Sequence, residues 1–553
     1  MVTLTNNWFQ SEVLFWRSLA SLIWSALLVP IFILLFVSLS GLSIIHPLQW
    51  LYDSLTVSFG SSFWLTTFVV ATCLVLISWF SLSHFSVVAD VNATPLNAFA
   101  ALFCWSRLPL LTVSLVCGAV TTWSLTRILG SQYKSFTQVK IIDRVELQAL
   151  NEFNFFLILN GIVSAGYAHW LFFLSHQYYL QFVHVQKFKL FHIRSDALDL
   201  LLSCTWQSFQ VVKYYFIFYL LFGELFKSWI SNSFTIVINT EVIQLNSFLG
   251  LLNFNLMWQT YLCTFFILFS WSIARAIIRI FLKDQMQFLI SPVLEKDKDP
   301  TLPTALVCSA SPLLQHLAFL DLSQLARFSS SRRQELLSLS QPGGHPRTWV
   351  AISSSALGII NELIDSVKEE NWSILSKVKS QGQSSYEPTV SASKESFGVD
   401  LNVSLHVSKL FSSMSSVPVI SYLVTEYPDV ISRSIFASCQ LQIWAVEGIS
   451  HLASRAIIED KYGVVQSYLP TIFCTLLDLY EVTEKHFKLT SCVLRKYNGS
   501  SGSLPDALLR FKLHFTTKTA LYRLVGTYKQ YLEDLRLHQD YYKKLQPFID
   551  YLV

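Results

Sequence analysis

Charged side chains are absent from residues 18–45, and uncharged runs return over 54–83, 108–126 and 153–186, then over 200–223 with Lys213 as an interruption, and last over 242–274. A helix crossing a hydrocarbon core roughly 30 Å thick needs about 20 apolar residues, because every backbone polar group must be bonded inside the segment. The pattern therefore predicts six membrane spans within residues 18–274. The first run exceeds the apolar core of a cleaved signal peptide and predicts a signal anchor that stays in the protein.

Beyond Leu302 the pattern changes. Apolar positions take a helical rhythm, as in Leu313, Leu314 and Leu317, then Leu320, Leu322 and Leu325, with charged residues between them. QPGGHP at 341–346 is dense in helix breakers and predicts a loop, followed by a helix over about 350–370. Residues 376–416 are rich in Ser with few large apolar side chains and predict a linker. Past it, Ala445, Val446, Ile449, Leu452, Ala453 and Ala456 repeat at three and four, which is the stripe of an amphipathic helix. The same spacing recurs in Leu469, Ile472, Phe473, Leu476 and Tyr480, and from Leu521 to Leu535, predicting a helical bundle.

The expected fold class is all-α: a multi-pass transmembrane bundle of six spans followed by a helical cytosolic domain. The expected order is a cytosolic N-terminus (1–17), the six-span domain (18–274), a basic juxtamembrane helix (275–290), a helical soluble segment (291–375), the Ser-rich linker (376–416) and a C-terminal helical domain (417–553).

Composition sharpens this division. Of 553 residues, 52% are hydrophobic and 14% charged, against about 25% charged in ordinary soluble domains. Residues 1–274 carry 21 charged side chains and 275–553 carry 55. A net charge of +4 without an obvious basic cluster argues against direct nucleic-acid binding. The nine cysteines are scattered, with no C-x-x-C pair, and read as reduced. No phosphate-binding loop, G-x-S-x-G elbow, H-E-x-x-H or EF-hand loop occurs, so no catalytic residue, cofactor or metal is expected.

With the N-terminus in the cytosol, the inner flanks hold Arg17, Arg107, Lys187, Lys189, Arg194, Arg275, Arg279 and Lys283, and the outer ones Arg127, Lys134, Lys140, Arg144 and Lys227. The excess inside supports that orientation. It also expects the N-x-S/T triplets at Asn371, Asn402 and Asn498 to stay unglycosylated. Lys213, within the fifth span, is a site hypothesis by default; the alternative is that it snorkels from a tilted or short span. Arg275, Arg279 and Lys283 stand at i, i+4 and i+8 and form one basic stripe. It reads either as an interfacial helix gripping lipid phosphates or as a flank that stops translocation.

Two longer blocks and three short ones carry a resemblance to a known family: SRRQELLSLSQPGGHPRTWVAIS at 331–353, IWAVEGISHLASRAIIEDKYGVVQSYLPTIFCTLL at 443–477, HPLQWL at 46–51, GLLNFNLMW at 250–258 and TKTALYR at 517–523. In this order they resemble the pore-membrane nucleoporins of the nuclear-division-cycle (Ndc) family, over nearly the full length. The chain departs mainly in its linker, shorter than the insert of vertebrate members.

The resemblance implies a structural anchor of the nuclear pore complex in the nuclear envelope, with both termini on the cytosolic and pore side. It also implies scaffold nucleoporins as partners, among them the WD-repeat nucleoporin aladin and a small nucleoporin with an RRM-like domain that touches membrane. Within the two longer blocks Arg332, Arg333, Trp349 and Trp444 are the candidate partner contacts, since Arg and aromatic residues dominate interface energetics. Trp444 reads equally as a core residue, and the arginines as a solvated helix end. The alternative function is a multi-pass enzyme or transporter of the endoplasmic reticulum that handles lipid or small solutes.

Overall fold

In the computed structural model, residues 2–42, 45–142, 145–175, 177–182, 188–234, 245, 253–290, 300–339, 344–383, 430–494, 505–535 and 537–550 are described. The first half builds α1 (Val2–Trp8), α2 (Phe15–Ser40), α3 (Pro47–Phe59), α4 (Ser61–Leu82), α5 (Pro95–Leu102), α6 (Leu108–Thr126), a hairpin of β1 (Thr137–Ile142) and β2 (Val145–Leu150), α7 (Glu152–Leu174), α8 (Lys189–Phe234) and α9 (Phe254–Leu282). The second half builds α10 (Leu302–Leu306), α11 (Pro312–Phe328), α12 (Ser330–Leu337), α13 (Arg347–Gln383), α14 (Val430–Ala437), α15 (Gln440–Glu459), α16 (Leu469–Leu494), α17 (Pro505–Tyr528) and α18 (Gln539–Ile549).

Seven helical stretches among the described residues are long and apolar enough to cross a bilayer. Six of them, in α2, α4, α6, α7, α8 and α9, answer to the six predicted spans. The seventh is α13, which packs on α15 and α16. It buries Trp349, Ile352, Ala356, Ile360, Leu363, Ile364 and Val367 and exposes Glu362, Asp365, Lys368 and Glu369. Its apolar face already has a protein partner, and its charged face needs water, so it is a candidate by length and mean composition and not by an unpartnered apolar surface.

The chain divides into two units. One holds residues 12–85 and 101–284, and the other holds 1–11, 86–100 and 285–553. In the first, α9 is the central strut, touching α2, α4, α7 and α8. The closest pair is α6 and α7, where a Cβ on Gly118 would lie 2.6 Å from the carbonyl oxygen of Gly161, and one on Gly161 would lie 2.7 Å from that of Gly118. Small residues let the two backbones meet where lipid supplies no hydrophobic drive.

In the second unit α15 is central, packed by α11, α13 and α17. Its Ile443, Ala445, Val446, Leu452 and Ala453 are buried to completion. Here α1 packs against α10, so the first residues of the chain belong with its second half.

The structure departs from the expected organisation in two places. The all-α class holds except for an antiparallel strand pair, from Thr137↔Leu150 to Ile142↔Val145, between the third and fourth predicted spans. Asn151 closes it: its amide donates to Gln132 O (2.9 Å) and Ser135 O (2.8 Å), while its side-chain oxygen caps α7 at Phe153 N. The expected juxtamembrane helix is not separate, because α9 runs unbroken to Leu282 and only then ends at Lys283. Most of the Ser-rich linker lies outside the described residues, although α13 extends into it to Gln383.

Candidate anchoring and contact sites

The four last carbonyls of a helix have no partner within it, a costly state away from water. At the end of α2 all four are satisfied. Val37 O accepts from Gly41 N (3.2 Å), Ser38 O from Trp50 Nε1 (2.7 Å), Leu39 O from Trp258 Nε1 (3.0 Å) and Ser40 O from Gln259 Nε2 (3.1 Å). Trp50 belongs to the HPLQWL motif and Trp258 to GLLNFNLMW. Two short motifs about 200 residues apart in sequence thus share one task, capping the first span.

Deeper in the unit the polar groups are small and neutral. The Asn160 amide and the Ser164 hydroxyl meet the Thr264 hydroxyl at 2.9 and 3.1 Å, joining α7 to α9. Tyr215 OH donates to Phe156 O at 2.6 Å. Among the described residues one full ion pair is sealed inside, Lys227 to Glu152 at 3.0 Å, with both side chains at most 5% exposed; Glu152 also accepts from Leu245 N at 3.2 Å. Lys213, in contrast, is exposed on the outer face of α8 over the Tyr214 ring, 4.5 Å from its centroid. Lys227, counted among the outer flanks by sequence, is thus drawn into the interior.

The basic stripe is not presented as one surface. Arg275 is buried and donates to Ala168 O (3.1 Å) and Ser272 Oγ (3.4 Å), bonding α9 to α7. Arg279 is half-buried, and Lys283 donates to Gln181 O at 3.0 Å. Helical spacing put the three on one line correctly; at its upper end that line faces the bundle.

In the C-terminal unit, Arg332, Arg333, Trp349 and Trp444 are interior struts. Arg332 grips both oxygens of Asp321 at 2.7 Å and donates to Phe288 O at 2.7 Å. Arg333 makes a fork on Glu459 at 2.8 and 2.7 Å and reaches Ala326 O at 3.3 Å. That fork holds the Glu459 carboxyl below its ordinary range. Trp349 is fully buried, and Trp444 is 3% exposed with its ring beside His316. All four side chains are engaged within the fold, and the arginines' acids lie 11 and 126 residues away.

Three other groups matter for what this unit does chemically. His486 sits between Ser432 Oγ at Nε2 (2.8 Å) and Asn371 Oδ1 at Nδ1 (2.8 Å), while Asn371 Nδ2 donates to Val482 O (3.2 Å). Since Asn371 turns its oxygen to the ring, Nδ1 carries the proton and Nε2 accepts from Ser432. Burial and Arg510 push the imidazole down to about 4. The arrangement has the order of a nucleophilic triad, but Ser432, His486 and Asn371 are at most 4% exposed, leaving no room for a substrate at the hydroxyl. It ties α14, α16 and α13 together. Its burial also removes Asn371 as a glycan acceptor; Asn402 and Asn498 lie outside the described residues. No group of three or more metal-ligating side chains is gathered among the described residues.

Six lipid-length helices, one of them the central strut α9, joined in one chain to an ion-paired helical unit, define a multi-pass membrane protein with a second, scaffold-like helical unit. The chain belongs to the family described as "Nucleoporin protein Ndc1-Nup", whose sequence pattern matches residues 12–417 and 370–546. It is similar to Nucleoporin NDC1 of Mus musculus (27% identity over 98% of this chain and 97% of the relative) and of Danio rerio (27% over 99% of both). It is also similar to Nucleoporin Ndc1 of Drosophila melanogaster, 22% identical over 55% of this chain and 59% of the relative. The mouse alignment spans 654 positions against 553 residues here, so that relative carries insertions this chain lacks. The chain is thus a transmembrane nucleoporin of the nuclear envelope.

Proposed function

We propose that this protein anchors the nuclear pore complex in the pore membrane, the six-span unit holding lipid and the C-terminal unit holding scaffold nucleoporins, aladin and the small RRM-like membrane-binding nucleoporin among them. The observation that carries the reading is the pairing in one chain of a lipid-length bundle with an ion-paired helical unit. The sealed state of Ser432–His486–Asn371 supports a role without catalysis. Grouping of residues 1–11 and 86–100 with the C-terminal half supports an even span number, with both termini on the cytosolic and pore side.

Exposed apolar side chains of the C-terminal unit, such as Phe328, Trp372, Phe515 and Ile458, are better partner contacts than the buried tryptophans. The test is imaging of the tagged full chain together with capture of aladin. A punctate nuclear rim in register with pores, and capture lost on Phe328→Ser with Trp372→Ser, is the expected result. A uniform reticular distribution, or a C-terminal tag protected from protease in sealed envelopes, overturns the reading.

A further inference from the structure

Glu447, His451, Arg455 and Glu459 follow one another at steps of four along α15, a single face rising about 6 Å per step. Its two ends are neutralised. Glu447 takes Arg327 of α11 at 2.8 Å and Ser323 Oγ at 3.1 Å, and Glu459 takes the Arg333 fork from α12. The middle is different. From α17, Arg523 reaches over to Ser450 Oγ at 2.8 Å, one residue before His451. Neither Arg523 nor Arg455 has a carboxylate within ion-pair distance among the described residues. Arg523 and His451 are half-buried and Arg455 is exposed, so the middle is open to solvent. Burial, together with the guanidiniums of Arg523, Arg327, Arg455 and Arg333, pushes the His451 imidazole down to about 4, and the acids at steps of four on this face are Glu447 and Glu459.

We propose that the middle of this face binds a phosphorylated side chain of a partner protein, with Arg455 and Arg523 as guanidinium forks and His451 between them. A phosphoserine or phosphothreonine brings about two negative charges and three acceptor oxygens, which matches two cations in excess, and planar forks suit its geometry. The three C-terminal blocks that resemble the family meet here: Arg333 comes from the first, His451 and Arg455 from the second and Arg523 from TKTALYR. The identity of the occupant as a protein segment rests on the anchor reading; the anion chemistry of the face does not.

The experiment uses the full chain in detergent micelles with 13C-labelled histidine, His451 assigned through His451→Gln. The probes are the capped tripeptide Ala-phosphoserine-Ala, its Ser and Glu counterparts, and inorganic phosphate. Saturable binding of the phosphorylated tripeptide at millimolar concentration or below is expected, with the His451 titration moving upward by at least one pH unit as the anion offsets the guanidiniums. Arg455→Gln, a change at an exposed side chain, should weaken binding several-fold, and Arg455→Gln with Arg523→Gln at least tenfold. Equal binding of the Ser or Glu peptide, inorganic phosphate as tight as the peptide, wild-type affinity in Arg455→Gln, or an unmoved His451 would each overturn the proposal. Rim localisation in the same variants reports on anchoring separately.

Discussion

The last span α9 and the helix α15 occupy equivalent places, each surrounded by the other helices of its unit, yet they satisfy their buried polar groups by opposite means. Along α9 these are Gln259, Thr260, Thr264, Ser270, Ser272 and Arg275, bonded to carbonyls, an amide and hydroxyls. Along α15 they include Glu447, neutralised by an arginine from another helix, and the helix ends in Glu459, neutralised by a second. The difference follows from the solvent each helix leaves before it packs. A span must be tolerated by lipid, where one Asp, Lys or Arg at its centre costs about 2.5–3.5 kcal/mol. A helix leaving water loses hydration only when its partners are already at hand.

The comparison breaks most severely at the α6–α7 contact. Gly118→Leu drives a side chain into a backbone carbonyl at 2.6 Å; the expected loss exceeds about 4 kcal/mol, read as failure to unfold cooperatively in detergent. Next come the ion pairs. Lys227→Met leaves Glu152 sealed without its cation and should cost about 3–5 kcal/mol, with much of it recovered in Lys227→Met with Glu152→Met. Arg333→Met, at a pair 7% and 15% exposed, should cost about 3 kcal/mol at most. If the soluble pair proves the dearer, the solvent argument fails.

Trp258→Phe keeps an aromatic ring but removes the indole N–H and orphans Leu39 O, an expected loss of about 1–3 kcal/mol in melting of the membrane unit. A smaller, graded effect is tied to pH. Burial pushes His316 and His486 down to about 4 in the folded C-terminal unit, whereas an unfolded imidazole titrates near 6.5. Between these values the unfolded chain binds more protons. The stability is therefore fully present above about pH 6.5 and lost as pH falls toward 4, by at most about 1.4 kcal/mol per pH unit for each histidine. Denaturant midpoints at pH 7 and pH 5 check the sign, and His486→Gln should flatten its share. Gly166→Ala is the control, because the new Cβ meets only Leu115 Cδ2 at 3.5 Å; a change within about 0.5 kcal/mol is expected.

Several features of this molecule were legible in the residue order. The six spans follow from uncharged length, and the α15 stripe from its three-and-four spacing, because both are properties of a single helix against its solvent. The β1–β2 pairing was hidden by charges within its strands, Lys140 and Glu146, which read as a loop when no alternation is sought. For Arg332 and Arg333 the pairing is illegible for another reason. A charge on a helix is solvated or paired according to what lies across from it, and Glu459 lies 126 residues beyond Arg333.

From the linear chain alone came the division into lipid-facing and water-facing halves, since transfer free energy is set by local composition. Which polar groups meet was decided only by folding: Trp50 and Trp258 on one helix end, Lys227 on Glu152, and three distant motifs around His451. Hydrogen bonds and ion pairs act over a few ångströms, so their partners are fixed by packing and leave no periodic trace along the chain.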